Sequence, residues 1–184
     1  MAATVEIRDP YTALHQKRVA GLARAIAEGM SLPQDMVDGI HLAGMVHDIG
    51  KLSIPAEILS KPARLTDIEF SLIKNHSKVG YGILKSIEFP WRIADFVYQH
   101  HERLDGSGYP QGLSDKNIFL ETKILSVSDV VETMASHRPY RPGFGIDIAL
   151  DEISNNKGVL YDAEAVEMCI RLFKERNYSF TSNY

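Results

Sequence analysis

The histidines of this chain fall where core residues belong. His15 shares a helical stripe with Val19, Leu22 and Ile26, and His47 continues the stripe Met36, Ile40 and Ala43. His76 lies between Ile73 and Ile83 at helical spacing, and His100 follows Ile93 and Val97. Asp129 is embedded in the apolar run from Ile124 to Val131. At a period of 3.6 such positions point inward. One inward histidine is commonly a hydrogen-bonded core residue. Several together, with carboxylates, carry a desolvation cost of several kcal/mol unless something compensates them. A bound metal does so, because neutral imidazole and carboxylate supply the lone pairs it needs. The adjacent pairs His47-Asp48 and His100-His101 extend this idea, since helical neighbours about 100° apart can reach two adjacent ions. His41 and His137 lack such company and are read as structural or solvated.

The rest of the chain supplies helices to carry these groups. Asp9-Pro10 predicts an N-cap and a helix to about Met30, and a second helix runs from about Pro33 to His47. Thr66-Asp67-Ile68-Glu69 is a capping box opening a helix to about Ile87. Further helices follow Pro90 to about Glu102, then Asn117 to Ser136, Ile146 to Asn155 and Asp162 to Arg176. The stretch Ile124–Val131 could be a strand by β-branched propensity, but partner strands are missing, so helix is preferred. The expectation is an all-α, single-domain bundle of about seven helices over residues 1–184, with its core at about 8–176.

Composition narrows the partners. The 184 residues hold 20 basic and 24 acidic side chains, a formal charge of −4, which argues against coating a nucleic-acid polymer through a basic surface. Cys169 is the only cysteine, so no intrachain disulfide forms, and its apolar neighbours mark a buried structural thiol. With no apolar stretch of about 18 residues and no signal pattern, the domain is cytoplasmic in character. It can still be one piece of a longer regulatory or membrane-tethered protein.

His47-Asp48-Ile49-Gly50-Lys51 resembles the HD signature of metal-dependent phosphohydrolases. The run His100-His101-Glu102-Arg103-Leu104-Asp105-Gly106-Ser107-Gly108-Tyr109-Pro110 resembles the extended motif of the HD-GYP subgroup, and Arg138-Pro139-Tyr140-Arg141 also fits. The resemblance implies an HD-type helical core with additional C-terminal helices and a phosphodiesterase acting on cyclic di-GMP. It implies metal ligands at His15, His47, Asp48, His76, His100, His101 and Asp129, with Asp48 as the bridging carboxylate. A hydroxide shared by two divalent ions, iron or manganese (zinc or nickel also suit the ligands), would attack phosphorus. Lys51 would stabilise transition-state charge or protonate the leaving oxygen. Tyr109, Arg138 and Arg141 would touch substrate, arginine suiting phosphate and flat base alike.

In this family the Gly108-Tyr109-Pro110 loop has been linked to partner proteins, so a diguanylate cyclase contact is a further implication. Gly106 and Gly108 are expected to adopt backbone conformations closed to other residues. Three positions depart from the pattern. Lys123 replaces a frequent arginine, Ala163 a frequent proline, and Tyr11 a glutamate that some members carry one turn before the first histidine. The last implies two metals rather than three, and a reaction that stops mainly at linear pGpG. Two other readings keep the fold: a silent domain that binds cyclic di-GMP or a cyclase, and a hydrolase of monophosphates or other cyclic dinucleotides.

Overall fold

The computed structural model describes residues 10–61, 63–136 and 143–180. Its α-helices are α1 (Pro10–Gly29), α2 (Gln34–Val46), α3 (Ala56–Leu59), α4 (Asp67–Lys74), α5 (His76–Leu84), α6 (Ile93–Gln99), α7 (Leu120–Ala135), α8 (Ile146–Asn155) and α9 (Ala163–Glu175). Short 3₁₀ turns occupy Ile49–Ser53 and Asp115–Asn117. Among the described residues extended pairing is confined to two isolated bridges, Asp105 with Ser114 and Lys157 with Tyr161. The all-α expectation holds, and Ile124–Val131 is helical because both its faces are buried by neighbouring helices.

Two apolar clusters share α1, α2 and α7. One joins Leu22, Ile26, Ile40, Val127 and Val131 to Ile153 and Cys169 of the C-terminal helices. The other joins Val19, Ala43, Ile49 and Leu125 to Leu84, Ile93 and Val97. Each fully buried leucine or isoleucine there stabilises by about 1.5–3 kcal/mol. The two long helices approach closely, because a Cβ on Gly44 would lie 2.6 Å from the Ala20 Cα. Cys169 is buried, and burial pushes its thiol up to about 12, as a structural role requires. No helix among the described residues is long and apolar enough to cross a membrane.

Local signals explain several boundaries. Thr66 and Glu69 form the expected reciprocal capping box at the start of α4. Asp162 caps α9 by accepting from the Glu164 and Ala165 amides, so Ala163 opens that helix without a proline. The helix expected from Thr66 to Ile87 is instead two, α4 and α5, divided at Asn75. The short helix α3 was not foreseen. The helices expected to run through His47 and to Glu102 stop earlier, at Val46 and Gln99. An expected metal ligand lies at each of these three breaks, His47, His76 and His100.

Candidate metal centre

Three histidines follow the ends of α2, α4 and α6, His76 as the first residue of α5, and make the same bond. The Nδ1 of His47 donates to the Gly44 carbonyl at 2.8 Å, that of His76 to Ile73 at 2.6 Å, and that of His100 to Val97 at 2.6 Å. Each acceptor lies in the last turn of α2, α4 or α6, where carbonyls lack a full intrahelical partner. In each case the imidazole N–H adds a donor to a carbonyl of the last turn. With Nδ1 carrying the proton, Nε2 presents a lone pair.

Those lone pairs converge. His76 Nε2 and His100 Nε2 face each other at 3.2 Å, a repulsive arrangement for two neutral acceptors. Two nitrogens on one ion at about 2.0–2.1 Å lie about 2.9–3.4 Å apart at ordinary coordination angles. His47 Nε2 is buried without a hydrogen-bond partner. These orphaned acceptors fit a bound cation. Ligand atoms gather in two groups, His76 with His100 and His101, and His15 with His47 and Asp129. Their rings form one chain from His15 through His47, His100 and His76 to His101, with neighbouring centroids 5.0–5.2 Å apart.

Asp48 lies between the groups. Its Oδ2 is 3.7 Å from His15 Nε2 and 3.6 Å from His47 Nε2, while its Oδ1 is 3.4 Å from His76 Nε2. Asp129 spans the same gap, with Oδ1 3.2 Å from His15 Nε2 and Oδ2 3.9 Å from His101 Nδ1. Burial alone would raise both carboxyls. The Lys51 ammonium, 2.6 Å from Asp48 Oδ2, and the surrounding imidazoles hold Asp48 well below the usual carboxylate range. Asp129 is held low by its hydrogen bond to His15 and by the other imidazoles.

Two residues that sequence reasoning passed over complete the surroundings. Glu132 is fully buried on α7, one turn after Asp129; its Oε2 lies 2.5 Å from His15 Nδ1 and its Oε1 accepts from Ser136 Oγ at 2.7 Å. The spacing of Asp129 and Glu132, both on one face of an apolar helix, was the available signal. Glu102 is buried beside the ligand pair His100-His101 and accepts the amides of Gln111 at 2.7 Å and Leu113 at 2.9 Å, tying down the glycine loop. In that loop Gly106 has φ +82°, as expected. Gly108 is needed for a different reason than expected: its φ is not positive, but a Cβ there would lie 2.4 Å from the Arg103 nitrogen and Glu102 Cα.

Every expected metal ligand is therefore brought together. Tyr109 stands at the rim, its ring 4.7 Å from that of His101. Arg138 and Arg141, with His137, lie outside the described residues. His41 takes no part; its Nδ1 donates to the Ala20 carbonyl at 3.2 Å.

The protonation pattern has a measurable consequence. Burial lowers His47, His76 and His101, and takes His100 from 6.5 to about 3. Burial works the same way on His15, but Asp129 and Glu132 outweigh it and raise that residue. An imidazole lowered in the fold binds its proton only after unfolding, so stability falls as pH drops below 6.5. His15 runs the other way, contributing fully below 6.5 and losing its share as pH rises through its folded value. Below pH 6.5 the share from His15 is constant, so the four lowered imidazoles set the slope. Chelated protein is expected to melt progressively lower from pH 6.5 to about 4; a flat or rising melting temperature would contradict neutral buried imidazoles.

A family model described as HD domain matches residues 1–165. The chain is 41% identical over 172 residues to a cyclic di-GMP phosphodiesterase of Thermotoga maritima, covering 92% of this chain and 47% of that protein. It is 36% identical to the cyclic di-GMP phosphodiesterase response regulator RpfG of Xanthomonas campestris, covering 93% and 46%. It is also 37% identical to the 3'3'-cGAMP-specific phosphodiesterase 1 of Vibrio cholerae, covering 84% and 35%. The chain thus spans about half or less of the length of these relatives. Among solved structures, the HD domain of the Listeria monocytogenes phosphodiesterase PgpH in complex with cyclic-di-AMP matches with a TM-score of 0.67 at 20% identity, over 96% of this chain and 95% of that one. An HDG"Y"P protein from Bdellovibrio bacteriovorus matches with a TM-score of 0.73 at 17% identity, over 87% and 51%. With its HD pair, paired histidines and glycine loop assembled around one buried centre, the chain belongs to the HD-GYP branch of the HD-domain family.

Proposed function

We propose that this chain is a cytoplasmic, metal-dependent phosphodiesterase that opens cyclic di-GMP, mainly to linear pGpG. The observation that carries the reading is the pair of three-ligand groups with one oxygen of Asp48 turned toward each. Two divalent ions held there would acidify water and neutralise charge on a bound phosphate. The chain's own groups do the rest. Asp48 stays ionised between the sites, and Lys51, 2.6 Å from Oδ2, is placed to stabilise charge on the departing ribose oxygen. Tyr109 lines the entrance, and Arg138 and Arg141 hold the phosphate or guanine. The loop Gly108-Tyr109-Pro110 is also the proposed contact for a diguanylate cyclase.

Two ions, iron or manganese, are proposed because Tyr11 and Thr12 supply no carboxylate one turn before His15. Glu132 does not replace it, since it faces the Nδ1 edge of His15 while Asp48 and Asp129 face Nε2. Without a third ion the terminal phosphate of pGpG rebinds with less charge neutralised, and the second cut is slow. The similarity to a 3'3'-cGAMP-specific enzyme supports a second reading, the mixed cyclic dinucleotide as substrate.

The test is elemental analysis and a product time course on one anaerobic preparation, offered cyclic di-GMP, 3'3'-cGAMP and cyclic di-AMP. Two ions per chain and pGpG accumulating ahead of GMP are expected. Three tightly bound ions, or GMP formed as fast as pGpG, would remove the two-metal reading. No turnover of any cyclic dinucleotide by metal-replete protein would remove the enzyme reading.

A further inference from the structure

We propose that Lys74 is a substrate-binding residue that holds the second, unreacting phosphate of the cyclic dinucleotide. This rests on the reading under Proposed function. A ring closed by two phosphodiesters carries two negative charges, and only one phosphate can occupy the metal centre at a time. The other is left facing the rim, where a cation with unused donors would recognise it.

The cations around the centre are mostly committed. Lys51 is bound to Asp48 at 2.6 Å. Arg18 donates to Ser136 Oγ at 3.3 Å and lies 3.7 Å from Glu132. Arg103 donates to Ser126 Oγ at 2.5 Å and to the Glu102 carbonyl at 3.1 Å, and lies over the Tyr161 ring. Lys74 differs. Its ammonium has no carboxylate within ion-pair distance among the described residues, yet the side chain is half-buried. Two aromatic faces hold it, Phe70 at 5.0 Å and Tyr109 at 5.8 Å.

Tyr109 in turn stacks on the ligand His101, with ring centroids 4.7 Å apart and planes inclined by 31°. The ammonium therefore lies no more than 10.5 Å from the His101 ring, the 5.8 and 4.7 Å of those contacts placed end to end. Cation–π contacts attract the charge without accepting its N–H bonds, so all three donors stay available to phosphate oxygens. A lysine in the last turn of a helix also complements the helix dipole, and Phe70 is its neighbour one turn back. Neither fact accounts for Tyr109, which reaches Lys74 from a separate loop anchored by Glu102.

The experiment compares metal-loaded wild type, Lys74→Met and Lys74→Arg on cyclic di-GMP and on bis(p-nitrophenyl) phosphate, which has one phosphodiester and no second phosphate. Lys74→Met is expected to raise KM for cyclic di-GMP roughly 10- to 100-fold, as for a lost hydrogen bond to a charged group. The kcat should move far less. The ratio of kcat/KM for the dinucleotide to that for the monodiester should fall by the same factor, metal content should hold, and Lys74→Arg should restore most of the loss. An unchanged KM for cyclic di-GMP, or equal losses on both substrates, would overturn the assignment. Wild type that cleaves the monodiester but no cyclic dinucleotide would instead overturn the functional reading beneath it.

Discussion

Asp48→Ala is expected to remove bound metal and turnover together, whereas Lys51→Ala should keep the metal and lose rate. Asp48 turns one oxygen toward His15 and His47 and the other toward His76, so its removal leaves both groups short of a ligand at once. The loss should exceed the roughly 10²–10³-fold that follows removal of one transition-state donor, because the group that activates water leaves with it. Lys51 contributes no atom to either ligand group. Its deletion would remove the positive charge beside Asp48 that the proposed reaction uses against the phosphate, and a decline of about 10²–10³-fold in kcat is the corresponding expectation. Elemental analysis and turnover on the same preparations separate the two cases. Full metal content with normal turnover in Asp48→Ala would mean that the centre is misassigned.

Gly50→Ala should be the most damaging glycine-to-alanine change in the chain. A Cβ there would lie 1.9 Å from the His76 carbonyl oxygen and 2.7 Å from the Gly80 nitrogen. Both obstacles are backbone, so no rotamer change relieves the contact. The turn Ile49–Ser53 would have to move away from the start of α5, drawing Asp48 from His76, now 3.4 Å apart. Overpacking in a core typically costs about 1–3 kcal/mol, and backbone-on-backbone collision belongs at the top of that range. Gly82 is the control, since a Cβ there meets nothing within 4 Å, and alanine should stabilise α5 by about 0.5–1 kcal/mol. Denaturant melts of both variants, with metal content alongside, check the contrast. A Gly50→Ala protein as stable and as metal-rich as wild type would show that the close approach is dispensable.

The centre was legible because its ligands interrupt apolar stripes, and a stripe reports which way a side chain points. His15, His47, His76, His100 and Asp129 all came from that signal. Helix ends were less legible. A repeat of 3.6 runs smoothly through Asn75 and past Gln99, and nothing in it shows that an imidazole will cap the last carbonyls. Hence α4 and α5 looked like one helix, and His47-Asp48 and His100-His101 looked like neighbours within helices rather than residues just past their ends. Gly108 and Glu132 were obscured for another reason. Gly108 answers to the folding of its own loop back onto Glu102 and Arg103, and Glu132 to a contact across the fold with His15. The segment holding Arg138 and Arg141 lies outside the described residues, and those two assignments stand on resemblance alone.

The acceptors of the imidazole N–H bonds divide the centre by mutability. His47, His76 and His100 give their protons to main-chain carbonyls, and no exchange of one side chain for another deletes a carbonyl. Their tautomers are therefore hard for point mutation to alter. His15 leans on the carboxylate of Glu132, which a single codon change can turn into amide or hydrocarbon. Drift among related chains should accordingly concentrate in the half of the centre that contains His15, shifting metal preference there while the half built on His76 and His100 stays constant.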